Sequence, residues 1–163
     1  MIFENINSLS IVDDFVAKYG DKIINKYSHL KDLGIKICID TQAPALLKAL
    51  DDCKDSPYMS NPSCNLIIKH KDTFNKCGFL VNEEMAIIAH ELGHIIAFIS
   101  KEVPKEQLQK EYQADDFSIF LGLADELKSA LKKMVEADIC PDSNKDMQKR
   151  IDRICEIQGD GYK

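Results

Sequence analysis

The chain has 163 residues and a formal net charge of −6, from 21 basic and 27 acidic side chains. Its hydrophobic fraction of 45% and charged fraction of 29% are those of an ordinary globular protein, long enough for one domain with a real core. The acidic balance argues against a nucleic-acid partner, which would show a basic patch or stripe.

Met1 to Ser10 carries Glu4 and several polar residues, without a basic region followed by an apolar run, so no secretory signal is expected. Ile11, Phe15, Val16, Tyr19, Ile23, Ile24 and Tyr27 recur at helical spacing and predict an amphipathic helix over about residues 9–29, with His29 at its end as an ordinary surface residue. Gly34 opens Ile35-Lys36-Ile37-Cys38-Ile39, an alternating β-branched run that reads as a strand. Residues 43–50 are a short helix candidate. Asp51 to Asn65, rich in Pro and Ser, reads as a loop. Leu66-Ile67-Ile68 is a second strand, extending toward His70. After a turn near Asn75, Gly78 to Val81 is a third.

From Asn82 the pattern turns helical. Asn82 suits an N-cap, and Glu83 and Glu84 suit the positive end of the helix dipole. This helix should run to about Ile99. Its apolar stretch, Met85 to Ile99, is interrupted by charge and is shorter than the ~20 residues of a membrane span. No membrane partner is expected, and a cytoplasmic location follows. Pro104 marks the first turn of another helix, ending near Gly122. Asp125 to Glu136 is a further helix, and Ser143 with Asp146 caps a last one carrying Met147, Ile151 and Ile154. The expected class is α+β: a mostly helical domain over 1–163, with a small sheet packed on the helix after Asn82. Within it, 1–65 has no assigned role, 66–122 is the candidate core of a site, and 123–163 is helical. The six cysteines form no C-x-x-C pair and read as reduced thiols.

The segment His90-Glu91-Leu92-Gly93-His94 carries the chemistry. Residues i and i+4 of a helix share one face, so both imidazoles can hold one Zn²⁺ at ~2.0–2.1 Å each. Glu91 directly follows the first ligand and can take a proton from a zinc-acidified water as it attacks a carbonyl. Chance matches arise on the order of once in a few hundred chains of this length, from background composition. The apolar setting of Met85, Ile87, Ile88, Ile95 and Ile96 strengthens the reading, because buried ionisable groups need partners. Gly93 costs roughly 1 kcal/mol in a helix interior. Either another backbone approaches it closely, or it is simply tolerated.

A catalytic zinc takes three protein ligands. The next helix offers Glu111 and Asp115 on one face, and the sixteen residues after His94 suffice for an antiparallel return. Glu111 is the third candidate ligand, and Asp115 a hydrogen-bond acceptor for the free ring N–H of a ligating histidine. Glu102, Glu106 and Asp116 are rivals placed less well. His70 and Tyr112 are candidate donors to a developing oxyanion, although packing or surface roles suit them too.

His90-Glu91-Leu92-Gly93-His94 with Glu111-x-x-Ala114-Asp115 resembles the gluzincin clan of zinc metallopeptidases. One branch is the HtpX and CAAX-prenyl endopeptidase family, whose C-terminal R-I signature resembles Arg150-Ile151. The other is the soluble ImmA/IrrE type, whose segment after the glutamate is similar to Glu111 to Ser118, with Phe117. The resemblance covers residues 77–122 and, weakly, 147–155. It implies His90, His94 and Glu111 as zinc ligands, Glu91 as base and Asp115 as partner of His90. It also implies a peptide or protein substrate extended along an edge strand, either Phe79 to Val81 or Leu66 to Ile68. The expected function is a zinc metallopeptidase, of endopeptidase type. The alternatives are a zinc-binding regulatory or interaction protein, and a latent peptidase with a cysteine such as Cys64 in the open position.

Overall fold

The computed structural model describes residues 2–39 and 56–159. The helix candidate at 43–50 lies outside them. The fold is α+β, with strands β1 (Ile2–Asn5), β2 (Gly34–Ile39), β3 (Tyr58–Asn61) and β4 (Leu66–Lys69). The helices are α1 (Ser10–Lys26), α2 (Lys71–Cys77), α3 (Val81–Ile99), α4 (Gln107–Phe120), α5 (Ala124–Glu136) and α6 (Asn144–Gln158). Among the described residues no helix is long and apolar enough to cross a membrane.

The sheet has the order β1-β2-β4-β3. β1 and β4 pair with β2 in parallel, and β3 pairs with β4 antiparallel. The period of two along the strands splits the side chains between faces. Ile35, Ile37, Tyr58 and Ile67 enter the main core, while Cys38, Met59, Leu66 and Ile68 form a separate cluster. The main core is shared with Phe15 and Ile23 of α1, Leu127 and Leu131 of α5, and Ile151 and Ile154 of α6. Each such aliphatic side chain contributes about 1.5–3 kcal/mol on burial. At the centre lies α3. It is buried almost all round, from Glu83 to Gly93 and again at Ile95 to Ala97, as an apolar helix packed on every side must be.

Three expectations need correction. Residues 78–81 are not a strand. Lys71–Cys77 forms α2 where a turn was expected, Gly78 ends it at φ 65°, and α3 begins at Val81. A short apolar run does not distinguish strand from helix entry, and Leu80 and Val81 are in fact exposed. Residues 58–61 are not loop but β3, with Pro57 just before the strand and Pro62 just after it, positions an edge strand tolerates. Asn82 does not cap α3. Leu80 occupies the cap position, and its backbone N–H donates to the Glu83 carboxylate at 2.7 Å. Smaller shifts appear elsewhere. α4 starts at Gln107, past Pro104, and Ser143 precedes α6 without a side-chain capping bond.

α4 returns antiparallel along α3 through two small-residue contacts. The Ser118 hydroxyl donates to the Ala86 carbonyl at 2.8 Å. One helical stretch away, Gly93 faces α4 so closely that a β-carbon there would stand 3.0 Å from the Ala114 Cα, the Ala114 carbonyl oxygen and the Phe117 Cβ. Close approach of a second backbone is therefore the reason for this glycine.

Candidate metal centre

The tight α3–α4 crossing sets Glu111 opposite the two histidines. The ligand atoms of His90, His94 and Glu111 all lie within 4.8 Å of one another, and these three residues could hold a metal ion. His90 Nε2 is 3.1 Å from His94 Nε2 and 3.0 Å from Glu111 Oε2, and His94 Nε2 is 3.5 Å from Glu111 Oε1. The other nitrogen of His90, Nδ1, lies 2.8 Å from Asp115 Oδ1. Asp115 is fully buried and its carboxylate only accepts, so Nδ1–H donates to it and Nε2 is the nitrogen that faces the cluster.

Arg150 of α6 completes the surroundings. Its Nε donates to Asp115 Oδ2 at 2.9 Å and its Nη2 to Asp115 Oδ1 at 2.7 Å, while Nη1 is 3.5 Å from Glu111 Oε2. Sequence reasoning noted Arg150 only as half of a signature pair. Its place at the site depends on a contact 35 residues away from Asp115, which spacing alone does not reveal.

The electrostatics favour a cation here. Burial and the Arg150 charge push the His90 imidazole down, but bonds to Asp115 and Glu111 outweigh them and raise its pKa to about 10. Burial raises the Glu111 carboxyl, yet the bonds from His90 and His94 hold it well below the carboxylate range. Burial likewise raises Asp115, and Arg150 and His90 bring it below its ordinary value. Glu91 goes the other way. Burial lifts its pKa, and the neighbouring histidines and a hydrogen bond from Ser60 only partly offset that. Ionised, Glu91, Glu111 and Asp115 carry three negative charges. Arg150 is the only buried lysine or arginine among the described residues. With neutral imidazoles the carboxylates outnumber Arg150, an excess of negative charge that a bound cation would offset.

The site opens into a cleft of about 440 Å³. Ser56 to Ser60 line it, as do Gln107, Lys110 and Glu111 of α4. Ile87, Ala97, Phe98, Val103, Leu131, Met134 and Arg150 also line it. All three stretches of the expected domain plan contribute to it. His90, Glu91, His94 and Glu111 line the cleft, whereas Asp115 lies behind it.

The remaining candidates are elsewhere. His70 and Tyr112 do not line the cleft. The His70 ring bonds the Ser56 carbonyl at 2.8 Å, and the Tyr112 ring lies under Arg153. Asp116 pairs with Arg153, the Glu102 backbone accepts from Gln113, and Glu106 caps α4 by position. Cys64 is exposed beside Ser63 and does not line the cleft, so the structure gives no support to a block by Cys64 itself. Comparison with protein-family models, curated proteins and solved structures gives no significant match.

Proposed function

We propose that the chain is a zinc-dependent metallopeptidase acting on peptide or protein substrates. The observation that carries this reading is the convergence of His90, His94 and Glu111 on one point, with Glu91 beside them in an open cleft. Two imidazoles and one carboxylate are a donor set that suits zinc, and a site with three protein ligands leaves a position for water or substrate. The fit extends to charge, since a bound cation would offset the excess of carboxylates over Arg150. When bound, zinc supplies a Lewis acid that acidifies water and polarises a carbonyl.

The chain's own residues do the rest. Asp115 fixes the His90 ring so that Nε2 points to the cluster. Glu91 accepts the proton of the attacking water and passes it to the departing amine as the C–N bond breaks. Burial raises its pKa, and the shift favours the protonated form that hands the proton on once it has been taken up. For substrate, the edge strand beside α3 among the described residues is β3, not either strand first considered: residues 79–81 are not a strand, and β4 lies inside the sheet. The Pro57 carbonyl accepts the His70 N–H, which makes 57 and 70 a hydrogen-bonded pair. Antiparallel alternation then turns the backbone groups of Tyr58 and Ser60 outward, next to Glu91. An extended peptide can add there as a further strand.

The test is Glu91→Gln, assayed on unfolded protein or a peptide library with zinc measured in the same samples. The variant should keep its zinc and lose hydrolysis by ~10² or more, the low end of general-base catalysis. A zinc-loaded parent that cleaves nothing would remove the peptidase reading, and a fully active variant would remove the role of Glu91.

A further inference from the structure

Arg150 stands 60 residues from His90 in sequence and belongs to the last helix, yet its guanidinium lies among the groups that define the metal-binding cluster. It is buried and holds both oxygens of Asp115 in a fork. That fork has a consequence for His90. Arg150 Nη2 also lies 3.3 Å from His90 Nδ1, so this nitrogen has two possible partners. If it accepted from Arg150, the ring proton would sit on Nε2 and close that nitrogen to a metal. Asp115 Oδ1 lies closer, at 2.8 Å, because the guanidinium pins the carboxylate in that place. Arg150 therefore selects the ring form that exposes Nε2, acting through Asp115.

We infer that Arg150 makes metal binding and docking of α6 one linked event. The helix carries the guanidinium in, the guanidinium orders Asp115 and Glu111, and these order the ligand set. By thermodynamic reciprocity, a metal that binds the ordered set must in turn hold α6 in place. Arg150 is a positioning residue in this scheme. A natural control lies one turn on. Arg153 also ties α6 to α4, donating to Asp116 at 2.6 Å and to the Tyr112 carbonyl at 3.3 Å, but it touches none of the metal-binding cluster. A residue that merely fastens the helix should behave like Arg153.

The inference rests on the metal-binding part of the proposed function and not on peptide hydrolysis. The experiment measures backbone hydrogen exchange over residues 144–158 with and without added zinc, together with zinc affinity by chelator competition. It uses the full-length parent, Arg150→Met, Arg150→Lys and Arg153→Met. In the parent, zinc should slow exchange of the α6 amides at least tenfold. Arg150→Met should bind zinc about 10- to 100-fold more weakly, the usual range when a partner of a ligand is lost. Its α6 should gain little protection from zinc. Arg150→Lys keeps the charge without the planar fork, so it should fold and fall in the same direction. Arg153→Met should loosen α6 with or without zinc, and zinc should still restore protection. A parent that binds no zinc defeats the underlying reading. A parent that binds zinc with unchanged α6 exchange overturns the linkage, as does Arg150→Lys with parental affinity and protection.

Discussion

Two sets of carboxylates surround α3, one at its own first turn and one where its middle meets α4. At the first turn, each glutamate has its own lysine. Glu83 accepts from Lys133 at 2.6 Å, from the Ser129 hydroxyl and from the Leu80 N–H. Glu84 accepts from Lys69 at 2.8 Å and from the Tyr58 hydroxyl at 2.7 Å. In the middle, Asp115 and Glu111 of α4 share one guanidinium, whose charge Glu91 of α3 also feels, and the donor atoms of His90, His94 and Glu111 converge on a common centre. The first set fastens α5, β3 and β4 to α3. The second keeps an electrostatic deficit in an open cleft. Burial of acids alone therefore says little about function. What separates the two sets is whether the charge is already matched and whether donor atoms converge.

The largest effect that this contrast predicts comes from the histidines. The parent should hold about one zinc per chain, and His90→Ala or His94→Ala should abolish stoichiometric binding, since a site of this kind needs its three protein ligands. Elemental analysis after removal of excess metal reads it directly. Undiminished zinc in both variants would show that the middle set is no more a metal site than the first.

A second break acts on geometry alone. In an unobstructed helix Gly93→Ala would stabilise by about 1 kcal/mol. Here the added β-carbon meets backbone atoms of Ala114 at 3.0 Å, and backbone cannot swing aside as a side chain does. Overpacking of this kind costs about 1–3 kcal/mol, so the net effect should be destabilising. It should also weaken zinc binding, because α4 carries Glu111. Urea unfolding and chelator competition on the same variant give both numbers. A more stable variant with unchanged affinity would mean that the α3–α4 crossing does not set the ligand geometry.

The local part of this arrangement was legible in the sequence. His90, Glu91 and His94 fall on one helix by spacing, and Glu111 and Asp115 on the next, so helical period alone brings the right faces forward. Gly93 signalled a close approach, although either reading of it was open. The long-range part was not legible. No periodicity leads from Arg150 to Asp115, because the two residues meet through a tertiary contact between α6 and α4 that local spacing does not encode. β3 was hidden by composition, since Pro57, Ser60 and Pro62 read as loop, and its pairing is set by β4 instead. The parallel addition of β1 to β2 depends on a crossover through α1, which a four-residue strand does not announce. The run from Phe79 to Val81 misled in the opposite sense. Its apolar residues suggested a strand, but Phe79 packs on Phe74 while Leu80 and Val81 face outward at the entry to α3.

The smallest predicted effect tests the matched set, through Glu83. Burial raises its carboxyl, but the Leu80, Lys133 and Ser129 bonds and the Lys133 charge outweigh this and leave its pKa below the ordinary value of 4.5. A folded-state pKa below the unfolded one means that the unfolded chain binds the proton more readily. The stabilisation is then full above the unfolded value and is lost as pH falls through the folded one. Glu83→Gln cannot ionise but can still accept the Leu80 N–H, so at pH 7 it should lose about 1–2 kcal/mol, on the scale of a hydrogen bond to a charged group. Below about pH 4.5 the gap between parent and variant should narrow, since the unfolded parent then takes up a proton that the folded one still excludes, until the folded carboxyl is protonated too. Urea unfolding of both proteins in the presence of chelator, at a series of pH values, isolates the difference, because titration of the middle set is common to the two. Zinc affinity should stay at the parental value. A gap that stays constant or widens toward low pH would show that Glu83 is not held ionised by Lys133, and a fall in zinc affinity would show that the two acid sets are not independent.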